Sequence, residues 1–176
     1  MKPQVWMLVV VIGISAMLPG CALLVKEETS KIDVYEGLEP CTEAESHLRQ
    51  GLTYAKVQDF KNSELEFLKA IDLCPNYIEA HANLGVLYIQ MNALNKAESS
   101  LKRAIDLDSH DEFALYNLTA LYSLTNKLDL ALDTLDDALN SGFNNIDALR
   151  NDPDLKNLRR EPGFTEILEK NHIFLK

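Results

Sequence analysis

Few side chains in this chain could catalyse a reaction or bind a metal. It contains four histidines, the residues whose proton affinity best suits such work near neutral pH. Two of them, His47 and His81, lie 34 residues apart, and the three cysteines form no C-x-x-C pair. The sequence has no H-E-x-x-H motif, no glycine-rich phosphate loop and no G-x-S-x-G motif. We therefore expect a chain that is not an enzyme and that holds no metal and no cofactor.

The 34-residue spacing extends to many other positions. Residues of similar kind recur at this interval through the middle of the chain: Tyr54, Tyr88 and Tyr122; Gly51 and Gly85; Ser63, Ala97 and Ala131; and Ala70, Ala104 and Ala138. A repeat of this length is typical of two helices joined by short turns. One helix pair cannot bury its apolar face alone, so we expect neighbouring units to stack around a shared core.

The repeated residues resemble those of the tetratricopeptide repeat family. The segments GLTY, GVLY and TALY carry its small residue and tyrosine, and the small and large residues of a second helix follow. The resemblance implies an all-α fold, an α-solenoid of three helix pairs wound as a right-handed superhelix, with units at 44–77, 78–111 and 112–145. The string NDPDLKNLRREPGF resembles the closing segment of many bacterial arrays, which implies a helical cap over residues 146–176.

Two expectations about packing follow from the repeat. Gly51 and Gly85 fall inside helices, where glycine is less favourable than alanine by about 0.5 to 1 kcal/mol. We expect their backbone to approach the small Ser63 and Ala97 of the partner helix. In the second helix of the first unit, apolar residues at helical spacing predict the core face: Leu65, Leu68, Ile71 and Leu73.

The amino-terminal segment reads as a signal peptide over residues 1–20. Lys2 precedes an apolar run from Val5 to Leu18, which is shorter than the roughly 20 residues of a membrane-spanning helix. The sequence Leu-Pro-Gly-Cys ending at Cys21 resembles the lipobox of bacterial lipoproteins, which implies cleavage before Cys21 and attachment of acyl chains such as palmitate. Ala22 follows rather than an aspartate, which implies the periplasmic face of the outer membrane. The alternative is an ordinary secretory signal with an incidental cysteine.

Residues 21–43 are predicted to form the lipidated amino terminus and a flexible tether, because charges, glycine and proline mix there without a helical period. Two cysteines then remain in a compartment that permits disulfides. Cys41 lies just before the first helix of the first unit, and Cys74 lies at the end of its second helix. Antiparallel helices bring these ends together, so we predict a Cys41–Cys74 disulfide. The alternative is two buried or unpaired thiols.

The family resemblance also implies where a partner binds. In such stacks the first helices form the concave wall, and asparagines at the positions of Asn83 and Asn117 hydrogen-bond the main chain of an extended peptide. The alternative is that these amides satisfy only neighbouring helix groups or solvent. The predicted partner-binding residues lie on the first helices of the three units: Arg49, Asn83, Val86, Gln90, Phe113, Tyr116 and Asn117.

These inferences favour a protein-interaction adaptor, anchored by lipid to the outer membrane, that assists a pilus, secretion or cell-wall complex. Its expected partners are an extended segment of another protein and, through the lipid, the membrane. The formal net charge of −10 disfavours nucleic acid, whose binding depends on basic residues. The alternatives are a self-associating module whose uncovered first unit stacks on another copy, and an envelope enzyme such as a cell-wall hydrolase.

Overall fold

The computed structural model describes residues 39–174 of the chain. The predicted signal peptide, Cys21 and most of the predicted tether lie outside these residues. The chain divides into two compact parts, residues 1–42 and residues 43–176, which are distinct from the repeat units. Of the first part, only the opening turn of one helix is described.

The described part of the chain is all-helical, which confirms the predicted fold class. Over residues 39–174 there are eight α-helices, two short 3-10 helices and no strand. The elements are α1 (Glu39–Lys56), α2 (Phe60–Leu73), α3 (Ile78–Gln90), α4 (Leu94–Leu107), α5 (Glu112–Leu124), α6 (Leu128–Asn140), α7 (Ile146–Asn151), the 3-10 helices Pro153–Leu155 and Leu158–Arg160, and α8 (Pro162–Lys170). Within this range no helix has the length and apolar character needed to cross a membrane.

Each predicted unit contains one pair of helices. The pairs are α1 and α2, α3 and α4, and α5 and α6, while α7, the 3-10 helices and α8 fall in the predicted cap. Helix α1 begins at Glu39, earlier than the predicted unit boundary at Ala44, so the end of the predicted tether is helical. The three pairs therefore follow the 34-residue period, and the closing segment follows a different plan.

The turn inside each pair depends on one residue in the left-handed conformation. Gln58, Asn92 and Asn126 have φ of 60°, 56° and 56°, and they lie one period apart. Asparagine is among the few residues other than glycine that adopt this conformation readily. After the first of these turns, the carboxylate of Asp59 caps α2 by accepting a hydrogen bond from the backbone of Asn62. The left-handed residue thus follows the first helix in each unit, whereas the side-chain cap occurs only in the first, since Ala93 and Lys127 precede α4 and α6 without one.

The two mid-helix glycines allow a large side chain of the partner helix to lie on the backbone. A Cβ atom added to Gly51 would stand 2.6 Å from the Phe67 ring, and one added to Gly85 would stand 2.6 Å from Cγ of Leu101. Both distances are far below van der Waals contact, and Phe67 and Leu101 are fully buried. The close approach at these glycines is thus made by large side chains.

The predicted role of the small partner residues is therefore wrong in part. Ser63 does reach the first glycine, because its hydroxyl donates a hydrogen bond to the carbonyl of Gly51 at 2.9 Å. The closest contact to the missing side chain at Gly85, however, is Leu101 and not the fully buried Ala97. Close packing here comes from one large residue fitting over one glycine.

The outward face of α2 also differs from the prediction. Leu65 and Leu68 were expected in the core, but they are 49% and 40% exposed. Ile71 and Leu73, the other two predicted residues, do pack against the core and are partly buried. The buried positions of α2 are Ser63, Glu66, Phe67 and Ala70. Apolar residues at helical spacing mark a stripe along the helix, but the stripe that faces the core is the one aligned with Phe67.

Adjacent units are joined by a carboxylate that meets a tyrosine and a lysine of the next unit. Glu64 on α2 accepts a hydrogen bond from the Tyr88 hydroxyl at 2.7 Å and lies 3.4 Å from the Lys96 ammonium. The same ammonium lies 4.9 Å from the centroid of the Tyr88 ring. Burial, followed by the hydrogen bond to Glu64, raises the pKa of Tyr88 to about 12. The tyrosine therefore remains a hydrogen-bond donor at neutral pH.

The joint recurs one period later at Glu98. Its carboxylate lies 2.8 Å from Lys102 on the same helix, 2.8 Å from Lys127 at the start of α6, and 3.3 Å from the Tyr122 hydroxyl. Hydrogen bonds from Lys102 and Lys127 lower the pKa of Glu98 from 4.5 to about 2. Ionised Glu98 thus ties α4 to both helices of the third unit.

The Glu98 joint predicts a pH-dependent loss of stability. Because the pKa of folded Glu98 lies below 4.5, its ionised form stabilises the fold above that pH, and this contribution is lost as the pH falls from about 4.5 to about 2. We expect Glu98→Gln to lower the free energy of unfolding at pH 7 by about 1 kcal/mol, with a smaller difference at pH 3. Urea unfolding at the two pH values measures this.

A matched control variant separates the loss of the Glu98 contacts from the loss of one negative charge. Asp106→Asn, at an exposed position of α4, removes the same charge as Glu98→Gln without touching the joint. An equal loss of stability in both variants, or a Glu98→Gln effect that does not shrink at pH 3, would contradict the assigned role.

The predicted disulfide is present: Cys41 and Cys74 are disulfide-bonded. In the chain-entropy model, closing a loop of about 34 residues stabilises the folded state by about 3 to 4 kcal/mol. Cys41 lies inside α1 and not before it, because that helix begins at Glu39, and Cys74 directly follows α2.

Reduction of the disulfide is expected to lower the urea midpoint by an amount equivalent to at most about 3 to 4 kcal/mol. The double variant Cys41→Ser, Cys74→Ser should show the lower midpoint without reductant and should not respond to it. Rapid reaction of both thiols with a labelling reagent in native, unreduced protein would show instead that the bond is not formed in the cell.

Candidate functional site

A cleft of about 210 Å³ opens between α1 and α3, the first helices of the first two units. Five of its lining side chains are apolar and three are polar. They are Leu52, Ala55 and Lys56 from α1, Phe67 from α2, and Asn83, Val86, Leu87 and Gln90 from α3. An apolar lining with a few polar groups suits the side chain and main chain of a bound polypeptide. Three of the predicted partner-binding residues, Asn83, Val86 and Gln90, meet here.

The repeat explains why these residues share one cleft. Leu52 and Val86 lie one period apart, and so do Lys56 and Gln90, so each pair occupies the same place on two neighbouring first helices. The prediction missed the α1 side. Counting back 34 residues from Val86 and Gln90 leads directly to Leu52 and Lys56, so the signal was already in the sequence.

Asn83 lies at the cleft with part of its amide already in use. Its Nδ2 donates a hydrogen bond to the carbonyl of Glu79, four residues earlier on α3, at 2.8 Å. This is the contact with its own helix that the alternative interpretation predicted. A carboxamide has two N–H donors and an oxygen that accepts. One donor and the acceptor therefore remain to bind the main chain of a partner.

The equivalent asparagine of the third unit makes the same bond away from the cleft. Asn117 donates from Nδ2 to the carbonyl of Phe113 at 2.7 Å, and neither residue lines the cleft. Arg49 is also outside it and forms an exposed ion pair with Glu45 at 2.6 Å. The structure thus brings together three of the seven predicted residues and leaves Arg49, Phe113 and Asn117 elsewhere on the first helices.

Tyr116 was expected on an open wall, but the carboxyl-terminal part of the chain covers it. Its ring stacks on Phe143 with centroids 4.2 Å apart, and its hydroxyl donates a hydrogen bond to Asp152 at 2.5 Å. Only 8% of the residue is exposed. Burial, followed by the bond to Asp152, raises the pKa of Tyr116. In this structure the predicted contact of Tyr116 with a partner is taken by the chain itself.

The same segment makes a second polar contact with α5. The Ser123 hydroxyl accepts a hydrogen bond from the backbone of Leu158 at 3.3 Å, and the Ser123 carbonyl accepts one from Nδ2 of Asn157 at 3.2 Å. Leu155 and Leu158 are fully buried. Residues 152–158 therefore cover Tyr116 and Ser123 on one side of α5, while Phe113 and Leu124 on the same helix stay 44% and 41% exposed.

The histidines near these helices are engaged in local contacts. His47 lies 2.6 Å from Glu66, a buried carboxylate that also pairs with Lys69 at 2.7 Å. Hydrogen bonds from Lys69 and then from His47 lower the pKa of Glu66. His81 contacts the carbonyl of Pro75 through Nε2 at 3.0 Å. Over residues 39–174, no cluster of three or more histidine, cysteine, aspartate or glutamate side chains is placed to hold a metal ion.

A second cavity of about 200 Å³ lies at the carboxyl-terminal end of the described chain. It is lined by Phe164, Thr165, Leu168, Glu169, Ile173 and Phe174. None of the predicted site residues lies in it.

The described residues form a helical-repeat scaffold with a cleft between two of its first helices. Sequence comparison then gives the family. Tetratricopeptide repeat family models match residues 44–77 and residues 66–99. The first match coincides with the first predicted unit, and the second runs from α2 into α4. A search of curated proteins finds no match.

Solved tetratricopeptide repeat domains have the same architecture. The first TPR of Spaghetti (RPAP3), bound to the HSP90 peptide SRMEEVD, is 19% identical, with a TM-score of 0.58 over 73% of this chain and 94% of that one. The TPR2B domain of yeast Sti1, in complex with pHsp70, is 18% identical, with a TM-score of 0.56 over 74% and 97%. The Arabidopsis OM64 TPR domain is 11% identical, with a TM-score of 0.57 over 75% and 96%. At these identities the likeness concerns the fold.

The chain belongs to the tetratricopeptide repeat family. Its three helix pairs form a scaffold of the kind that binds other proteins on an extended surface.

Proposed function

We propose that this protein is an adaptor that holds an extended segment of another protein in the α1–α3 cleft. The observation that carries the proposal is the cleft itself, where Leu52 and Val86 offer apolar surface next to the free donor and acceptor of Asn83. An extended segment has unpaired main-chain donors and acceptors and projects side chains to both faces. The amide of Asn83 suits the first property, and the apolar lining suits the second.

Two of the structural neighbours support this assignment. The RPAP3 domain is bound to an HSP90 peptide, and the Sti1 domain is in complex with pHsp70. Both are repeat domains of the same architecture that bind part of another protein. We extend the mode of binding to this chain, and not the identity of the partner.

We further propose that lipid on Cys21 anchors the adaptor to the periplasmic face of the bacterial outer membrane. The support is the lipobox-like Leu-Pro-Gly-Cys sequence after a short apolar run, with Ala22 following. More than one acyl chain gives stable anchoring where a single chain does not. The Cys41–Cys74 disulfide agrees with an oxidising compartment. A role in assembling a pilus, secretion or cell-wall complex would fit this location.

The first unit argues against the alternative of stacking on another copy. Where a unit precedes, three positions on the first helix are buried and apolar: Ala80, Leu84 and Leu87 on α3, and Ala114, Leu118 and Leu121 on α5. The equivalent positions on α1 are Ser46, Gln50 and Thr53, which are all exposed. A polar, exposed end does not provide the apolar surface that another unit would bury.

The cleft makes a prediction that compares two equivalent asparagines. Asn83→Ala should weaken partner binding about 2- to 10-fold through loss of one hydrogen bond, whereas Asn117→Ala should change it by less than about 2-fold. Val86→Trp, which fills the cleft, should weaken binding by more than about 10-fold. A photoreactive amino acid at Gln90, activated in intact cells, measures capture of the partner in each background.

A photoreactive residue at Leu65, exposed on α2 and outside the cleft, is the control for position. Melting temperatures of the variants confirm that the helices remain folded. Capture from Leu65 and not from Gln90, or capture at Gln90 that is indifferent to Asn83→Ala and Val86→Trp, would place the binding surface elsewhere.

Anchoring is tested separately from binding. We expect a labelled fatty acid to be incorporated into the wild-type chain and Cys21→Ser to abolish the label, since the thiol is the proposed attachment point. On a density gradient the wild type should sediment with outer membranes and the variant should be soluble. Membrane association of the wild type without label would refute the lipoprotein assignment and leave the cleft proposal intact.

A further inference from the structure

The concave wall carries equivalent side chains in rows, because each first helix repeats the same register. One row consists of Lys56, Gln90 and Leu124, which follow one another at intervals of one period on α1, α3 and α5. Lys56 and Gln90 line the cleft, and Leu124 is 41% exposed. The row therefore changes in character along the stack, from a cation through a neutral amide to an apolar side chain.

Lys56 gives the first-unit end of this row a positive charge. Arg49 and Glu45, on the same helix, neutralise each other in an ion pair at 2.6 Å. Lys56 enters none of the ion pairs that the structure records among residues 41–174. It is exposed and borders an apolar cleft, where a bound carboxylate would be partly removed from water.

The net charge of −10 does not override this local charge. At physiological ionic strength, interactions between exposed charges are largely screened beyond about 8 to 10 Å. A carboxylate in contact with Lys56 is therefore governed by that lysine, and the remaining acidic surface mainly slows its approach.

The opposite end of the row is apolar. Leu124 ends α5, and Phe113, at the start of the same helix, is 44% exposed. Ala120, which lies between them along the helix, is small and buried. The third unit thus presents apolar side chains at the positions where the first unit presents charged ones.

We propose that the segment held by this wall is acidic at one end and apolar at the other, with its carboxylate on Lys56 and its apolar side chain on Leu124. The inference rests on the proposed function and adds the chemistry of the partner. Two helix-to-helix steps of about 8 to 10 Å separate these side chains, or about 16 to 20 Å. An extended chain advances about 3.3 Å per residue, so the acidic and apolar residues stand about five or six positions apart.

The experiment uses the full chain, purified in detergent, to select displayed random peptides of about twelve residues. We expect selected peptides to carry an aspartate or glutamate about five or six positions from a large apolar residue. For a synthetic peptide of this kind, Lys56→Glu should weaken binding about 5- to 10-fold, because an attractive contact becomes a repulsive one. Leu124→Ser should weaken it about 5-fold.

Two matched controls share the chemistry of these changes but lie outside the row. Lys61→Glu makes the same charge reversal at an exposed position of α2, and Leu65→Ser makes the same polar replacement on the outward face of that helix. Both should alter binding by less than about 2-fold. Peptides in which the acid and the apolar residue are only two positions apart should bind more weakly than those with the longer spacing.

The outcomes separate this inference from the proposed function. Peptides whose binding falls with Asn83→Ala, but which lack an acidic preference and ignore Lys56→Glu, would overturn the inference and leave the cleft as the binding site. Peptides that are indifferent to Asn83→Ala, or a failure to select any, would overturn both.

Discussion

The contact of Leu101 with the bare backbone of Gly85 sets the distance between the two helices of the second unit. Phe67 does the same over Gly51 in the first unit. Since a β-carbon at either glycine would collide with a fully buried side chain, the helices of a pair have one close-packed arrangement and little room for others. The same register then recurs every 34 residues, and it places equivalent side chains of neighbouring first helices side by side. The cleft and the rows of the concave wall follow from this spacing.

Polar contacts between neighbouring units also hold successive helix pairs in a defined orientation. The Glu64–Tyr88 contact links the first unit to the second, and Glu98 links the second to the third. Exposed ion pairs contribute little to stability by themselves, usually less than about 1 kcal/mol. Here the carboxylates are partly buried against a tyrosine of the next unit, so they also fix how successive pairs are placed. At the carboxyl-terminal end, Asp136 and Lys170 form a comparable link from α6 to α8 at 2.7 Å.

The closing segment decides which part of the wall remains open. Asp152 and Leu158 bond to Tyr116 and Ser123, which a further repeat would otherwise have covered. The stack thus ends by burying the exposed side of α5 under a short irregular segment rather than under another helix pair. Tyr116 is therefore closed to a partner, whereas the α1–α3 cleft and the side chain of Leu124 remain accessible on the first helices.

The sequence by itself determined the helix pairs, their stacking order and the Cys41–Cys74 bond, because a repeat shows which positions are equivalent and local turn chemistry shows where helices end. It also contained Lys56, which lies one period before Gln90 and so at the equivalent place on α1. Only the tertiary structure decided that Leu65 faces outward and that Tyr116 is covered. Exposure depends on which element lies against a face, and residues 152–158, which cover Tyr116, belong to no repeat. Periodicity cannot place such a segment, because its position is set by the packing and hydrogen bonds it makes with α5.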